Sequence, residues 1–150
     1  MQILVMRHGE AQAQAADDAS RALTAHGRAQ ARAQGQWLAM HGAPDALWVS
    51  PYLRAQQTAD EVLAGLGQPL ARVTLPELTP SGDIVAITAL LAGSDDCQRV
   101  LMVSHMPMVA YLVEALVPGE VPMAFATAEI VVIDSEPKPT VRQRQLSAEG

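Results

Sequence analysis

A chain of 150 residues, 49% apolar and 17% charged, is long enough to bury a core as one domain and has an ordinary globular balance. Its net charge of −6 excludes the basic footprint that nucleic-acid binding needs, so a phosphorylated ligand has to be held by locally placed cations. A single cysteine, Cys97, excludes an intramolecular disulfide and a cysteine-rich metal site.

The N-terminal residues Met1-Gln2-Ile3-Leu4-Val5-Met6 lack the basic start and long apolar stretch of a signal peptide. No apolar run approaches the roughly 20 residues that cross a bilayer, so a cytoplasmic protein without membrane contact is expected. Ile3 to Met6 reads as a strand buried on both faces, ending at Arg7-His8-Gly9. Residues 10 to 22 are polar or small and predict a loop. Thr24 predicts an N-cap for an Ala- and Gln-rich helix to about Met40, stopped by Gly42 and Pro44.

Leu47 to Val49 reads as a second strand. Ser50-Pro51 predicts a helix start with the serine as cap and the proline in the first helical position, where a missing N–H costs nothing. Ala59, Val62, Leu63 and Leu66 give that helix its apolar stripe before Gly67 and Pro69. A short strand near Val73, a loop through Pro76 and Pro80, and a helix from about Asp83 to Leu91 follow. Val100 to Val103 is the second clearly buried strand and ends at Ser104-His105; Val109, Leu112, Val113 and Leu116 mark the next helix. Residues 128–133 and 141–146 complete the strands, and a polar tail closes the chain.

Strands alternating with helices predict a three-layer α/β/α sandwich on a mainly parallel central sheet, with residues 1–150 as a single domain. Ligands in such folds bind beyond the carboxyl ends of strands. Two of the four histidines, His8 and His105, fall there. Arg7 precedes His8, and Arg54 lies in the first turn of the helix after Ser50. Arginine grips phosphate oxygens in a fork, whereas the sole lysine, Lys138, lies near the end of the chain. A pocket of two guanidiniums, two imidazoles and a helix N-terminus suits a phosphate. His8 permits chemistry as well: a neutral imidazole is a good nucleophile, and neighbouring cations keep it neutral. In-line attack needs one ring nitrogen free and the other donating to a backbone carbonyl, with Gly9 letting the chain turn.

Arg7-His8-Gly9-Glu10 after an N-terminal strand resembles the signature of the histidine phosphatase superfamily, which also contains the phosphoglycerate mutases. Arg21-Ala22-Leu23-Thr24-Ala25-His26-Gly27 resembles that family's R-P-L-T-x-x-G segment, with alanine in place of proline. Ser50-Pro51-Tyr52-Leu53-Arg54-Ala55-Gln56-Gln57-Thr58 resembles its S-P-x-x-R-A-x-Q-T segment, and Val103 to Pro107 its V-x-H-x-P segment. The order of the four segments matches as well. The resemblance implies a phosphoglycerate mutase-like fold, His8 as nucleophile, Arg7, Arg54 and His105 around the phosphoryl group, and no metal or organic cofactor. Leu75-Pro76-Glu77-Leu78-Thr79-Pro80-Ser81-Gly82-Asp83 and Pro118-Gly119-Glu120 are similar to segments of the small protein-phosphohistidine phosphatases of the superfamily. Gln14 stands where the sugar-phosphate branch often has Asn. The short chain leaves little sequence to roof the pocket, which suits a phosphorylated side chain on a folded partner.

The expected function is therefore a phosphatase with a covalent intermediate on His8. Its expected partner is a histidine-phosphorylated phosphotransfer domain or phosphocarrier, and the chain itself is expected to be monomeric. A small-molecule phosphomonoesterase on the same scaffold and a non-catalytic phosphohistidine-binding module are the alternatives. An ester needs an acid for its alkoxide leaving group, and Glu77 and Asp83 are the candidates; an imidazole leaving group relaxes that need. Arg21 is placed either at the pocket rim, contacting substrate, or in a surface salt bridge with Asp17 or Asp18. His26 and His41 are expected to be solvated. Met102, Met106, Met108, Met123, Trp37 and Trp48 are expected to pack, and Cys97, beside Asp95 and Asp96, lacks the electropositive setting of a reactive thiol. No pair shows the histidine spacing of a metal site.

Overall fold

Along β1 (Gln2–Arg7) successive residues serve opposite faces of a sheet, and the four central ones are all buried. Ile3 and Val5 join one apolar cluster, while Leu4 and Met6 join another. The same division holds in β4 (Arg99–Ser104), where Val100 and Met102 face the first cluster and Leu101 and Val103 the second. A sheet apolar on both faces has to be covered on both, and the helices do so. On one side lie α1 (Ala25–His41) and α2 (Leu53–Leu66), contributing Ala31, Leu38, Ala55, Ala59 and Val62. On the other lie α3 (Ile84–Ala92) and α4 (Met108–Leu116), contributing Ile87, Leu91, Val109, Leu112 and Val113. Each fully buried Leu, Ile or Val contributes about 1.5–3 kcal/mol.

The computed structural model describes all 150 residues. The remaining strands are β2 (Ala46–Val49), β3 (Arg72–Thr74), β5 (Ile130–Asp134) and β6 (Thr140–Gln145). They form one six-stranded sheet in the order β3-β2-β4-β1-β5-β6. The pairings β2–β3, β2–β4 and β1–β4 are parallel, whereas β1–β5 and β5–β6 are antiparallel. The expected three-layer, mainly parallel α/β architecture is what the chain adopts.

Register brings the site together. Arg7 pairs with Ser104 and Val49 with Val103, so β2, β4 and β1 end side by side. The next residue of each, Ser50, His105 and His8, then emerges at one edge. The His8 N–H donates to the Ser104 carbonyl at 3.0 Å and the Ser50 N–H to the Val103 carbonyl at 3.1 Å, which continues the ladder one step beyond the strands.

One local expectation differs from the structure. Thr24 caps α1 as expected, accepting from the Gly27 N–H at 3.0 Å. Ser50 does not cap α2: that helix begins at Leu53 after Tyr52, with no side-chain cap. The serine is diverted inward, where its Oγ meets His105. The polar tail is also tied down, since Ser147 is buried and donates to the Gln30 carbonyl at 2.9 Å. Gln30 Nε2 donates in turn to Thr127 Oγ1 and the Gly150 carbonyl.

α1 and α2 meet backbone to backbone. A Cβ on Gly35 would sit 2.2 Å from the Val62 carbonyl oxygen, and one on Gly65 2.1 Å from that of Arg32. Neither contact has a flexible side chain that can yield. Gly35→Ala is therefore expected to destabilise the fold by about 1–3 kcal/mol, the usual range for overpacking. The readout is a lower urea midpoint at unchanged slope.

Candidate active site

The ring of His8 is oriented by its own neighbour. Nδ1 lies 2.7 Å from the Gly9 carbonyl oxygen, which can only accept, so the hydrogen sits on Nδ1 and Nε2 keeps its lone pair. Arg54 Nε donates to that Nε2 over a long 3.3 Å. The requirement at Gly9 is space rather than a turn: its φ is not in the left-handed region, and a Cβ there would sit 2.5 Å from the Gly27 carbonyl oxygen. The Gly9 N–H donates to Thr58 Oγ1 at 3.0 Å, and that hydroxyl donates to the Arg54 carbonyl at 2.7 Å. Thr58 thus ties the histidine loop to the helix that carries Arg54.

Burial pushes the His8 imidazole down to about 4; the Gly9 bond opposes the shift, and the charges of Arg54, Arg7 and Arg21 add to it. The ring is therefore neutral at physiological pH. In the unfolded chain an imidazole titrates near 6.5. The stability contributed by keeping this group neutral is complete above about pH 6.5 and is lost as pH falls toward 4. For reactions that depend on His8, the acid limb of kcat/KM in the free enzyme is expected near pH 4, well below the limb of an unperturbed histidine. A limb at 6 to 7 would contradict it.

Arg54 is 2% exposed, with Nη1 donating to the Asp18 carbonyl at 2.6 Å and Nη2 to the Asp18 carboxylate at 3.1 Å. Its guanidinium carbon lies 5.1 Å from the centre of the Tyr52 ring. Arg7 Nη1 donates to the Phe125 carbonyl at 2.7 Å, while Arg7 Nε is buried with no protein partner. Burial, and then the charge of Arg54, lowers the Arg7 pKa. Arg21 Nε pairs with Asp18 at 2.9 Å, as one of its two expected placements has it, and the residue also lines the cavity. Those bonds, the Arg21 one foremost, hold the Asp18 carboxyl below the usual carboxylate range.

The His105 ring lies 5.1 Å from that of His8, tilted by 58°, with Tyr52 edge-on at 5.1 Å. Its Nε2 is 2.7 Å from Ser50 Oγ, and its Nδ1 is buried without a partner. Burial, followed by His8 and Arg54, drives its pKa far below the ordinary value. A cavity of about 380 Å³ unites Arg7, His8, Arg21, Arg54 and His105 with Glu10, Asp18 and Thr127, and Pro80 and Met106 form an apolar side. A neutral imidazole whose lone pair accepts only one long bond, from Arg54, together with three guanidiniums and two unpartnered buried N–H or N positions, can receive a tetrahedral oxyanion.

Neither candidate acid is in this cavity. Asp83 caps α3, accepting from the Ala86 N–H at 3.0 Å. Glu77 occupies a short 3₁₀ turn (Pro76–Leu78) and lines a neighbouring concavity with Thr79, Ser81 and Gly82. Sequence reasoning named Asp18 only as a candidate partner of Arg21 and missed its bonds to Arg54, the tie made by Thr58 and the inward role of Ser50. Asp18 sits on a short 3₁₀ turn (Asp18–Ser20) inside the expected loop, with no local pattern to single it out. His26 is exposed, and His41 stacks on Trp37 at 4.8 Å, away from the site. The Cys97 thiol is pushed up by burial and by Asp96 and Asp45.

The fold agrees with what comparison finds. A family model for the histidine phosphatase superfamily (branch 1) matches residues 3–79, and the chain belongs to that superfamily. The chain is 41% identical over 136 residues to the phosphohistidine phosphatase SixA of Escherichia coli (strain K12), covering 89% of this chain and 84% of the relative. It is 37% identical over 140 residues to the SixA homologue of Haemophilus influenzae, covering 87% and 85%. A solved structure of the protein histidine phosphatase SixA complexed with tungstate superposes with a TM-score of 0.90 at 39% identity, covering 98% of this chain and 97% of that one.

Proposed function

We propose that residues 1–150 form one histidine phosphatase domain that removes phosphate from phosphohistidine in a protein. The observation that carries this reading is the His8 ring, whose Nδ1 is committed to the Gly9 carbonyl and whose Nε2 lone pair lies among arginines. In the first step His8 Nε2 attacks phosphorus, a P–N bond forms, and the bond to the substrate imidazole breaks with its electron pair on the leaving nitrogen. That nitrogen takes up a proton or leaves as an imidazole already protonated on its other nitrogen. In the second step water attacks phosphorus, the bond to Nε2 breaks, and phosphate departs with the proton balance made up by water. Arg7, Arg54 and His105 bear the charge on the three phosphoryl oxygens in both steps, and Arg21 contacts them at the rim.

The choice of a phosphohistidine substrate is supported by the named activity of the two curated relatives and by the ties of the carboxylates in the cavity. Asp18 is ion-paired and Glu10 Oε1 accepts from Thr24 Oγ1 at 2.8 Å, while Glu77 and Asp83 lie outside the cavity. Glu77→Gln is expected to leave phosphohistidine turnover within a few-fold, whereas a general acid would cost about 10²-fold or more. The partner is then a phosphotransfer domain or phosphocarrier, and the chain acts as a cytoplasmic monomer; no helix is long and apolar enough to cross a membrane. The test is a side-by-side assay on a histidine-phosphorylated phosphotransfer domain, an aryl phosphate and a panel of sugar phosphates, with His8→Ala as blank. Fast loss of phosphohistidine with slow ester hydrolysis is expected. Preference for one ester would sink the reading.

A further inference from the structure

Ser50 is wholly buried, yet it neither caps α2 nor packs as an apolar residue would. Its Oγ accepts one hydrogen bond, from the Tyr52 N–H at 3.2 Å, and lies 2.7 Å from His105 Nε2. The hydroxyl hydrogen has no acceptor other than that nitrogen. If Nε2 carried a hydrogen instead, Ser50 Oγ would receive two donors, its own O–H would be buried unpaired, and the Nδ1 lone pair would be left to face an anion. The opposite arrangement is favoured because it leaves one buried polar group unmatched, the Nδ1–H, whereas this one leaves two, the Ser50 O–H and the Nδ1 lone pair. His105 Nδ1 is the complementary half of the observation, being buried with no protein partner beside Arg7 Nε, which is also unpartnered.

We propose that Ser50 is a positioning residue: its hydroxyl donates to His105 Nε2, and so places the imidazole hydrogen on Nδ1 as a preformed donor to a phosphoryl oxygen. The inference rests on the reading of the site as a phosphoryl-transfer centre. The burial that keeps His105 neutral makes its tautomer matter, since a charged ring would carry both hydrogens whatever Ser50 did. The two histidines are then complementary. Each carries its hydrogen on Nδ1, but in His8 that hydrogen is spent on a carbonyl and the lone pair is presented, while in His105 the lone pair is spent on a hydroxyl and the hydrogen is presented. One is set as nucleophile and the other as donor by which neighbour the strand end supplies. Adjacent strand ends provide the pairing, because Ser50 follows β2 and His105 follows β4 in register.

The test is imidazole nitrogen NMR on histidine-labelled protein, with and without saturating orthophosphate, in wild type, Ser50→Ala and Ser50→Thr. In wild type, His105 is expected as the Nδ1–H tautomer, with its Nδ1 resonance moving on phosphate addition; His8 resonances report that the anion is in the site. Ser50→Ala should shift His105 toward Nε2–H and lower kcat by roughly 10- to 100-fold, less than outright loss of an oxyanion donor. Ser50→Thr, which keeps the hydroxyl, should restore both. Nε2–H in wild type, an Nδ1 resonance indifferent to bound phosphate, or an alanine variant with unchanged tautomer and turnover would each overturn the proposal. Should the alanine variant fail to fold, the wild-type spectra alone still decide. They need no assigned substrate, so failure here is separable from failure of the phosphohistidine reading, which the side-by-side assay decides.

Discussion

Replacing His8 by alanine is expected to abolish turnover, with kcat falling by a factor on the order of 10⁴ or more, as removal of a covalent nucleophile does. The fold should survive, because the contact of His8 with β4 is made by its backbone N–H to the Ser104 carbonyl rather than by its ring. Orthophosphate binding should remain within about tenfold, since the arginines and His105 are untouched; that retention separates loss of chemistry from loss of the site. The direct check is a rapid quench of the wild-type protein with labelled substrate. Label should appear on the protein, stable in base and lost in acid as a phosphoimidazole is, and should be missing from the alanine variant. A variant that still turned over at a tenth of the wild-type rate would remove His8 from the mechanism.

Arg54 should be the next most damaging position. Arg54→Ala is expected to lower kcat/KM by about 10²–10³-fold, the range for losing a preorganised oxyanion donor. Arg54→Lys should recover little of it. The guanidinium divides its donors between His8 Nε2, the Asp18 carbonyl and the Asp18 carboxylate, and it lies over the face of Tyr52. An ammonium on a flexible stem cannot reproduce that fork. The measurement is steady-state kinetics of both variants, with thermal unfolding as the control for folding. Recovery to within a few-fold of wild type in the lysine variant would mean that charge alone matters here.

How far the sequence carried the reading depends on the range of each interaction. Ile3 to Met6 and Val100 to Val103 were legible because continuous burial leaves a continuous apolar run, and Thr24 because a cap acts within three residues. His8, Arg7, Arg54 and His105 were legible through motifs and through the rule that strand ends carry ligands. Ser50 was misread for an instructive reason. A serine before a proline is a good local cap, but a histidine one strand away takes its hydroxyl. The Asp18–Arg54 pair spans 36 residues and depends on how a loop lies over α2, which no periodicity reveals. The binding of the tail through Gln30 is hidden for the same reason, because a buried glutamine in a Gln-rich helix looks like any other.

The hold of Asp18 on Arg54 and Arg21 means that substrate arrival is a trade of anions. The resting site already has a carboxylate on its guanidiniums, and an incoming phosphoryl group has to take over donors that the protein occupies itself. Much of the attraction between arginine and phosphate is therefore offset on entry, and so is its dependence on ionic strength. A site built this way discriminates by geometry more than by charge: sulfate, carboxylates and loose phosphate gain little over the internal occupant. On the proposed reading, a group delivered in line with His8 by a partner that contributes its own contacts gains more.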